Sequence, residues 1–357
     1  MRIIGGLDIH RRQITYDYVD LETGEASRGM IKPVCRSEFR QWLERLELRP
    51  AAFALEATTG WRFVVEELRR ADIEPHLAEP AETRSLRGNK RRAKTDRADA
   101  RHLRDLLIQG ILPESWIPTD FIADLRTKAR LRKALVDQRS GWIRRIKAQL
   151  FQHGLPTPPD LQTLEGRAWL ARAELPTTAR RVTELALSMI DFLTEQIDRL
   201  DGELKAIADA QKGCLALRAA NYGVGPLIAT AMLAELGDIS RLSSSRKAVR
   251  LAGIDVTVSE SDGKQRGRRH LSRQGPPLLR WALYEAGGNA WRRASPDHDY
   301  YVQAKEWPRR KAGQARHRTS GPAAQLPRPR QSRTRRHRTR VEVDPIGGHD
   351  VGAAPIR

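Results

Sequence analysis

Cysteine is nearly missing from this chain of 357 residues: Cys35 and Cys214 are the two it has. They are too few for a disulfide framework and lack the paired spacing of a zinc site. A reducing cytoplasm is the expected setting. Long apolar runs are missing too. No stretch approaches 18 apolar residues, which excludes a helical membrane span, and the N-terminus lacks the apolar segment of a secretory signal. Nor is there a GxxxxGK[ST] phosphate loop, so ATP-driven chemistry is not indicated. Acid is in short supply, with 44 Asp+Glu against 64 Lys+Arg, a net charge of +20 and a pI near 10.7. That balance favours a polyanionic partner. Residues 303–340 carry about 13 Lys/Arg and one acid, Glu306, or roughly +12 of the total. The rest of the chain is only modestly basic.

What is present divides by pattern, and the length allows two domains with cores of their own. Arg2 to Ile9 reads as a buried strand, Gln13 to Val19 alternates, a turn follows at Glu22 to Glu25, and a third strand covers Ala26 to Lys32. Ser37 is placed to cap a helix running to Leu46, with Phe39, Leu43 and Leu46 on one face. Ala51 to Leu55 and Ile73 to Ala78 are short apolar strands around a helix over Trp61 to Ala71. Hairpin strands followed by alternating helix and strand predict a mixed sheet flanked by helices. Residues 81–109 read as helical, with an interruption at Gly88-Asn89. Two long amphipathic stretches follow. Residues 120–152 carry Leu125, Leu131, Leu135, Trp142, Ile146 and Leu150; residues 178–211 carry Val182, Leu185, Met189, Leu193, Ile197, Leu200 and Leu204. Their spacing suits a helical hairpin, a coiled-coil contact between copies, or two helices packed on their own domain. A Pro-containing segment, 154–176, joins them. From Leu217 a second unit begins, ending in a helix from Pro277 to about Ala290. After Tyr301 the apolar periodicity stops and Arg, Pro, Gly and Ala take over, the composition of a disordered tail.

Four acids stand out against this background. Asp8 in IIGGLDIHRR and Glu56 in AAFALEATTGW each end an apolar strand, and Asp96 and Asp99 in KTDRADARHL share a helix face three residues apart. An apolar strand seldom carries a carboxylate without a partner. If the first and fourth strands are parallel neighbours, Asp8 and Glu56 lie side by side, and a helix crossing the carboxyl ends of those strands completes the group. Oxygen ligands of this kind suit Mg2+, and two such ions about 4 Å apart can clamp the attacking and leaving oxygens of a phosphodiester. Lys94, Arg97 and Arg101 surround the helical pair and could hold phosphates. Glu22, Glu25 and Asp105 read as surface acids. His10 and His102 lie close to the acids in sequence, where a metal or proton-transfer role is open to them, but the preferred reading is an exposed turn or helix histidine outside the site.

In the second unit, Tyr222-Gly223-Val224-Gly225-Pro226 resembles a helix-hairpin-helix turn, in which backbone N–H groups at Gly223 and Gly225 approach a DNA phosphate. A plain interhelical turn is the alternative. Residues 258–269 then give a polar loop with Ser259, Ser261, Lys264, Arg266, Arg268 and Arg269, suited to a phosphate backbone. A serine here could act as a nucleophile with cations steadying the phosphorane. Lys264, Arg268, Arg273 and Arg280 are candidate phosphate contacts.

These motifs, GLDIH, ALEATTGW, KTDRADARHL, YGVGPLIATAMLAELGDI, LAGIDVTVSESDGK and HLSRQGPPLLRWAL, occur in the order found in bacterial transposases of the insertion-sequence-110 family. The resemblance covers residues 1 to 301. It implies a RuvC-like, ribonuclease H-type α/β DEDD domain over 1–115, a helical coiled-coil linker over 116–212, and a transposase domain over 213–301 that holds the hairpin turn and the serine loop. Residues 302–357 form a basic tail. It implies that Asp8, Glu56, Asp96 and Asp99 bind Mg2+ and that a second-domain serine forms a phosphoserine link to DNA. It further implies donor and target DNA as partners, a guiding bridge RNA, and a homo-oligomer, dimer or tetramer, acting on the bacterial nucleoid. The family loop reads Ser-Ser-Gly-Gly-Lys where this chain has Glu260-Ser261-Asp262-Gly263-Lys264, so Ser261 takes the nucleophile position and Ser259 is the second candidate. The family's basic helix after the SRQGP region gives way here near Lys305 to Arg/Pro-rich sequence, which a shifted reading frame or a degenerate element end would explain.

Two other readings use the same residues: a metal-dependent junction endonuclease or exonuclease that uses water in place of serine, and a non-catalytic nucleic-acid-binding module. A sugar-kinase-like ATPase, which also starts with a strand-borne Asp, would need a Gly-rich loop after Asp8 that is not there.

Overall fold

The computed structural model describes residues 3–46, 51–87, 95–257, 260–261, 264–265 and 270–306. Five strands form its main sheet: β1 (Ile3–Ile9), β2 (Ile14–Asp20), β3 (Ala26–Ile31), β4 (Ala51–Glu56) and β5 (Glu74–Ala78). Their order is β3-β2-β1-β4-β5. The β1-β2-β3 meander is antiparallel, while β4 runs parallel to β1 and β5 parallel to β4. This mixed sheet is the ribonuclease H-type, RuvC-like arrangement. Strands β1 and β4 are central and covered on both faces, so they read as nearly continuous apolar runs rather than alternating ones.

Helices α1 (Arg36–Glu44) and α2 (Trp61–Arg70) cover one face, where Leu7, Phe39, Trp42, Phe53, Val64 and Leu68 make the main core. Glu67 joins these helices. It is buried, and it accepts hydrogen bonds from Arg36, Arg40 and Arg70. The cap of α1 differs from expectation: the capping position is Cys35, which makes no side-chain cap bond, and Ser37 lies in the first turn. Helix α3 (Pro80–Ser85) is short, and residues 88–94, including Gly88-Asn89 and Lys94, lie outside the described residues.

Helix α4 (Asp96–Ile108) covers the other face through Leu103, packed with Ala54 and Ala78. It comes so close to β1 that a Cβ on Gly6 would lie 2.0 Å from the Ala100 carbonyl oxygen. A buried ion pair between Arg104 and Asp17 of β2 fixes it along its axis.

The long helices α5 (Asp120–Gln152) and α7 (Thr177–Ala210) form an antiparallel hairpin. Leu125 and Ala129 of α5 share a core with Leu204 and Ala208 of α7, and Ile146 and Leu150 share another with Ala186 and Ile190. The inner seam of α7 differs from the predicted one over its first half. Ala179, Thr183, Ala186 and Ile190 are buried, while Val182 and Leu185 are exposed, as is Leu131 on α5. Small residues inside the seam allow the helices to approach, and the larger apolar ones turn outward. The connecting segment contains a helix that the sequence did not suggest, α6 (Leu164–Arg172).

Helices α8 (Lys212–Ala220), α9 (Pro226–Leu236), α10 (Ser245–Ala252) and α11 (Pro277–Gly287) complete the hairpin's proximal core. Buried Glu235 of α9 receives a bidentate pair from Arg130 of α5 at 2.7 and 2.8 Å. Strands β6 (Glu260–Ser261) and β7 (Lys264–Gln265) pair as a two-stranded ribbon, with Ser261 opposite Lys264. Helix α11 stops at Gly287, short of Ala290.

The chain separates into two compact units, 1–289 and 290–357. In the second, residues 298–306 are helical, so order continues past Tyr301, where the sequence suggested that it ends. The predicted disordered tail from 307 onward lies outside the described residues. Among the described residues no helix is long and apolar enough to cross a membrane.

Candidate metal centre

Strand geometry decides where the first two acids point. Side chains alternate along a strand, so Asp8 shares the face of Gly6, and Glu56 that of Ala54. Gly6 and Ala54 both contact α4. The parallel register pairs Leu7 with Leu55, which brings Asp8 and Glu56 together at the carboxyl ends of β1 and β4. The same face carries the first turn of α4, capped by Thr95, whose hydroxyl accepts from Ala98 N–H at 3.2 Å. Asp96 and Asp99 lie in that turn, where the positive end of the helix dipole favours carboxylates.

The side chains divide into two linked sets. In the first, His10 Nε2 is 3.1 Å from Asp8 Oδ2 and 3.5 Å from Asp96 Oδ1. Gln13 Nε2 donates to Asp96 Oδ2 at 2.7 Å. One ligand atom each from Asp8, His10 and Asp96 lies within 4.8 Å of the others. In the second set Arg87 pairs with Asp99 and sits near enough to Glu56 to oppose its rise in pKa.

Burial pushes the Asp8 carboxyl up to about 6 from the ordinary 3.8, His10 opposes the rise, and the negative charges of Asp99 and Asp96 add to it. Burial also raises Glu56, with Arg87 opposing and Asp99 adding. The charge of Asp99 therefore acts on both strand acids, linking the two sets. Carboxylates gathered in a partly desolvated place cost free energy unless a cation joins them. Their oxygens are the donors that a hard divalent ion takes, so the residues fit such an ion.

Other predicted residues lie elsewhere. Arg97 and Arg101 are exposed on α4, with Arg101 3.8 Å from Asp105. Gly223 adopts φ +79° in the α8–α9 turn, where a Cβ would meet the Asn289 side chain at 2.6 Å; Gly225 (φ −83°) precedes α9 with open space around it. Arg273 is exposed at φ +56°. Arg280 is half-buried and donates to the carbonyls of Gly275 and Ala252. Only the backbone is described for Ser261 and Lys264, and Ser259 and Arg268 lie outside the described residues.

Sequence reasoning weighed His10 and set it aside, and it missed two further side chains here, Gln13 and Arg87. A histidine two residues after a strand-end acid is an ordinary turn residue by spacing, and its contact with Asp96 exists only once α4 has docked. His102, read as exposed, is half-buried with Nε2 3.2 Å from the Thr83 carbonyl oxygen.

A ribonuclease H-type sheet with acids at its strand ends, followed by a helical region, is a framework shared by nucleases and DEDD-type transposases, and comparison with known proteins selects the transposases. Residues 5–154 match a DEDD transposase model, and residues 220–303 match the model described as "Transposase IS116/IS110/IS902 family". Together these matches span more than half of the chain, which belongs to the insertion-sequence-110 family of transposases. Among relatives, it is 28% identical over 269 residues to "Putative transposase y4rJ" of Sinorhizobium fredii, covering 69% of this chain and 67% of that protein. It is 26% identical over 194 residues to "Transposase for insertion sequence element IS1111A" of Coxiella burnetii, covering 53% of each. A second Sinorhizobium fredii relative, "Putative transposase y4qE", is 26% identical over 201 residues, covering 56% of this chain and 48% of that protein. The chain thus spans about half the length of two of these relatives and two thirds of the third.

Proposed function

We propose that this protein is a DNA recombinase that cleaves and exchanges strands at the ends of an insertion sequence. The observation that carries the proposal is the meeting of Asp8, Glu56 and the first turn of α4 at one edge of the sheet. Asp8, Glu56, Asp96 and Asp99 would hold Mg2+ or a similar divalent cation, which supplies neutralisation of the scissile phosphate and a lowered pKa for a nearby hydroxyl. Ser261 is the nucleophile. Its oxygen forms a bond to phosphorus as the bond to the DNA 3′ oxygen breaks, and the serine proton ends on that oxygen. A 3′ hydroxyl from another strand reverses the step and restores the serine. No water is consumed, so the exchange requires no ATP.

Residues 1–115, 116–212 and 213–301 act as acidic domain, helical linker and serine-bearing domain, with 302–357 as a basic tail. Gly223, Gly225, Lys264, Arg268, Arg273 and Arg280 contact the DNA backbone, whose negative charge suits the basic chain. A bridge RNA would supply sequence choice through base pairing, as in other guided systems. Strand exchange needs at least two active sites, which calls for a dimer or tetramer, and the protein would act on the nucleoid.

The test is a cleavage assay with labelled element-end DNA and its guide, read on a denaturing gel. The wild type is expected to form a covalent protein–DNA adduct, and Ser261→Ala to lose it while still binding DNA. An adduct that persists in Ser261→Ala moves the role to Ser259. Free 5′-phosphate products with no adduct would replace the proposal with a water-using endonuclease.

A further inference from the structure

The four acids leave one close neighbour without a role. His10 follows β1, and its ring touches carboxylates from both a strand and a helix: Nε2 is 3.1 Å from Asp8 Oδ2 and 3.5 Å from Asp96 Oδ1. We propose that His10 is a nitrogen ligand of the cation held by the acids, so that the site takes a first-row transition ion, Mn2+ included, more readily than the acids alone would. The inference rests on the cation-binding reading of the acids and adds a donor that changes which ion they take.

Spacing is the first argument. In an octahedral shell with bonds of about 2.1 Å, neighbouring donor atoms stand about 3.0 Å apart and opposite ones about 4.2 Å. The His10 nitrogen is already near the neighbour spacing from Asp8 and slightly beyond it from Asp96. All three donor atoms lie within 4.8 Å of one another, so a small contraction closes them on one ion.

The second argument is how the ring is placed. The backbone N–H of His10 donates to the Gln13 carbonyl oxygen at 2.9 Å, closing the turn between β1 and β2. Gln13 then reaches across to α4 and donates to Asp96 Oδ2 at 2.7 Å, which leaves Asp96 Oδ1 as the oxygen nearer His10. One short turn thus sets both the imidazole and the orientation of the helix acid. The His10 side chain is 53% exposed and that of Asp8 14%, so an ion can arrive from solvent on the histidine side.

The third argument is chemical. Mg2+ takes oxygen donors almost alone, whereas imidazole suits first-row transition ions, least at Mn2+ and more strongly along the series. Adding one imidazole to the carboxylates therefore raises affinity for Mn2+, which serves as the spectroscopic probe, more than for Mg2+, and for the later ions more still. Removing a donor that contacts the ion should cost Mn2+ affinity at least about tenfold, the lower end of what loss of a supporting group costs. Mg2+ affinity should change less.

The experiment is pulsed electron paramagnetic resonance of Mn2+ bound to the full chain, paired with Mn2+ and Mg2+ titrations of wild type, His10→Gln and Asp8→Asn. The expected result is a nitrogen-14 modulation from a coordinated imidazole in the wild type, gone in His10→Gln, with Mn2+ binding at least about tenfold weaker. Mn2+ that binds in an Asp8-dependent way without nitrogen modulation would overturn the role of His10 and leave the acid site standing. Modulation that survives His10→Gln would overturn it as well, by assigning the nitrogen elsewhere. Failure of the wild type to bind Mn2+ or Mg2+ at all would overturn the acid site itself.

Discussion

Replacing Asp8 by Asn should make the metal-free protein more stable, an unusual direction for a change at a candidate active site. The Asp8 carboxyl is raised from 3.8 to about 6, chiefly by burial and then by Asp99 and Asp96, against the opposing His10. A carboxyl raised on folding is protonated in both states below its unfolded pKa and costs nothing there. The cost appears as pH climbs through the window from 3.8 to about 6 and is complete above it. At about 1.4 kcal/mol for each pH unit, the shift corresponds to about 2–3 kcal/mol at pH 8. Asn keeps the shape and removes the charge. The assay is denaturant or thermal unfolding of wild type and Asp8→Asn in chelator at pH 4 and pH 8. The variant should exceed the wild type by only about 0.5 kcal/mol at pH 4 and by about 2–3 kcal/mol at pH 8. A divalent cation should then raise the wild type's stability at pH 8 more than the variant's. A variant less stable than wild type at pH 8, or a difference that does not grow between pH 4 and pH 8, would refute the reasoning.

The close approach of α4 to β1 makes Gly6→Ala a strong perturbation, since its Cβ would stand 2.0 Å from the Ala100 carbonyl oxygen. Unfolding experiments should show a loss of at least about 1–3 kcal/mol, and cation affinity should fall because Asp96 and Asp99 move with the helix. Glu67 is held down to about 2, first by its hydrogen bond from Arg40 and then by Arg36, against the opposing effect of burial. The stabilisation it gives is fully present above pH 4.5 and is lost as pH falls towards 2. Glu67→Gln should therefore cost about 2–3 kcal/mol at pH 7 and little at pH 2, read from the pH dependence of unfolding.

Much of the sheet was legible because its central strands leave a strong local signal. IIGGLDI and AAFALE are apolar on both faces, which marks strands covered on both sides, and each ends in a carboxylate. Their parallel pairing was a condition of the sequence reading rather than a result of it, and the β1–β4 register supplies it. The arrangement inside the site was less legible. Asp8, His10 and Asp96 form one cluster while Arg87 holds Asp99, and neither contact can be read from spacing. They depend on how far α4 slides along the sheet, which the buried Arg104–Asp17 pair and Gly6 decide. The seam of α7 was misjudged for a similar reason. Periodicity marks Val182 and Leu185 as well as Ala186 and Ile190, and only the partner helix selects the small residues for the inside. Helix α6 escaped notice because it is short and buries only Gly166 and Leu170 along its length.

Titrating Mn2+ against the single variants Asp8→Asn, Glu56→Gln, Asp96→Asn and Asp99→Asn asks whether two strand ends and one helix turn serve a common ion. The expected result is a loss of at least about tenfold in affinity for every one of the four. Wild-type binding by Glu56→Gln and Asp99→Asn would contradict the account, because the acids would then not share a cation.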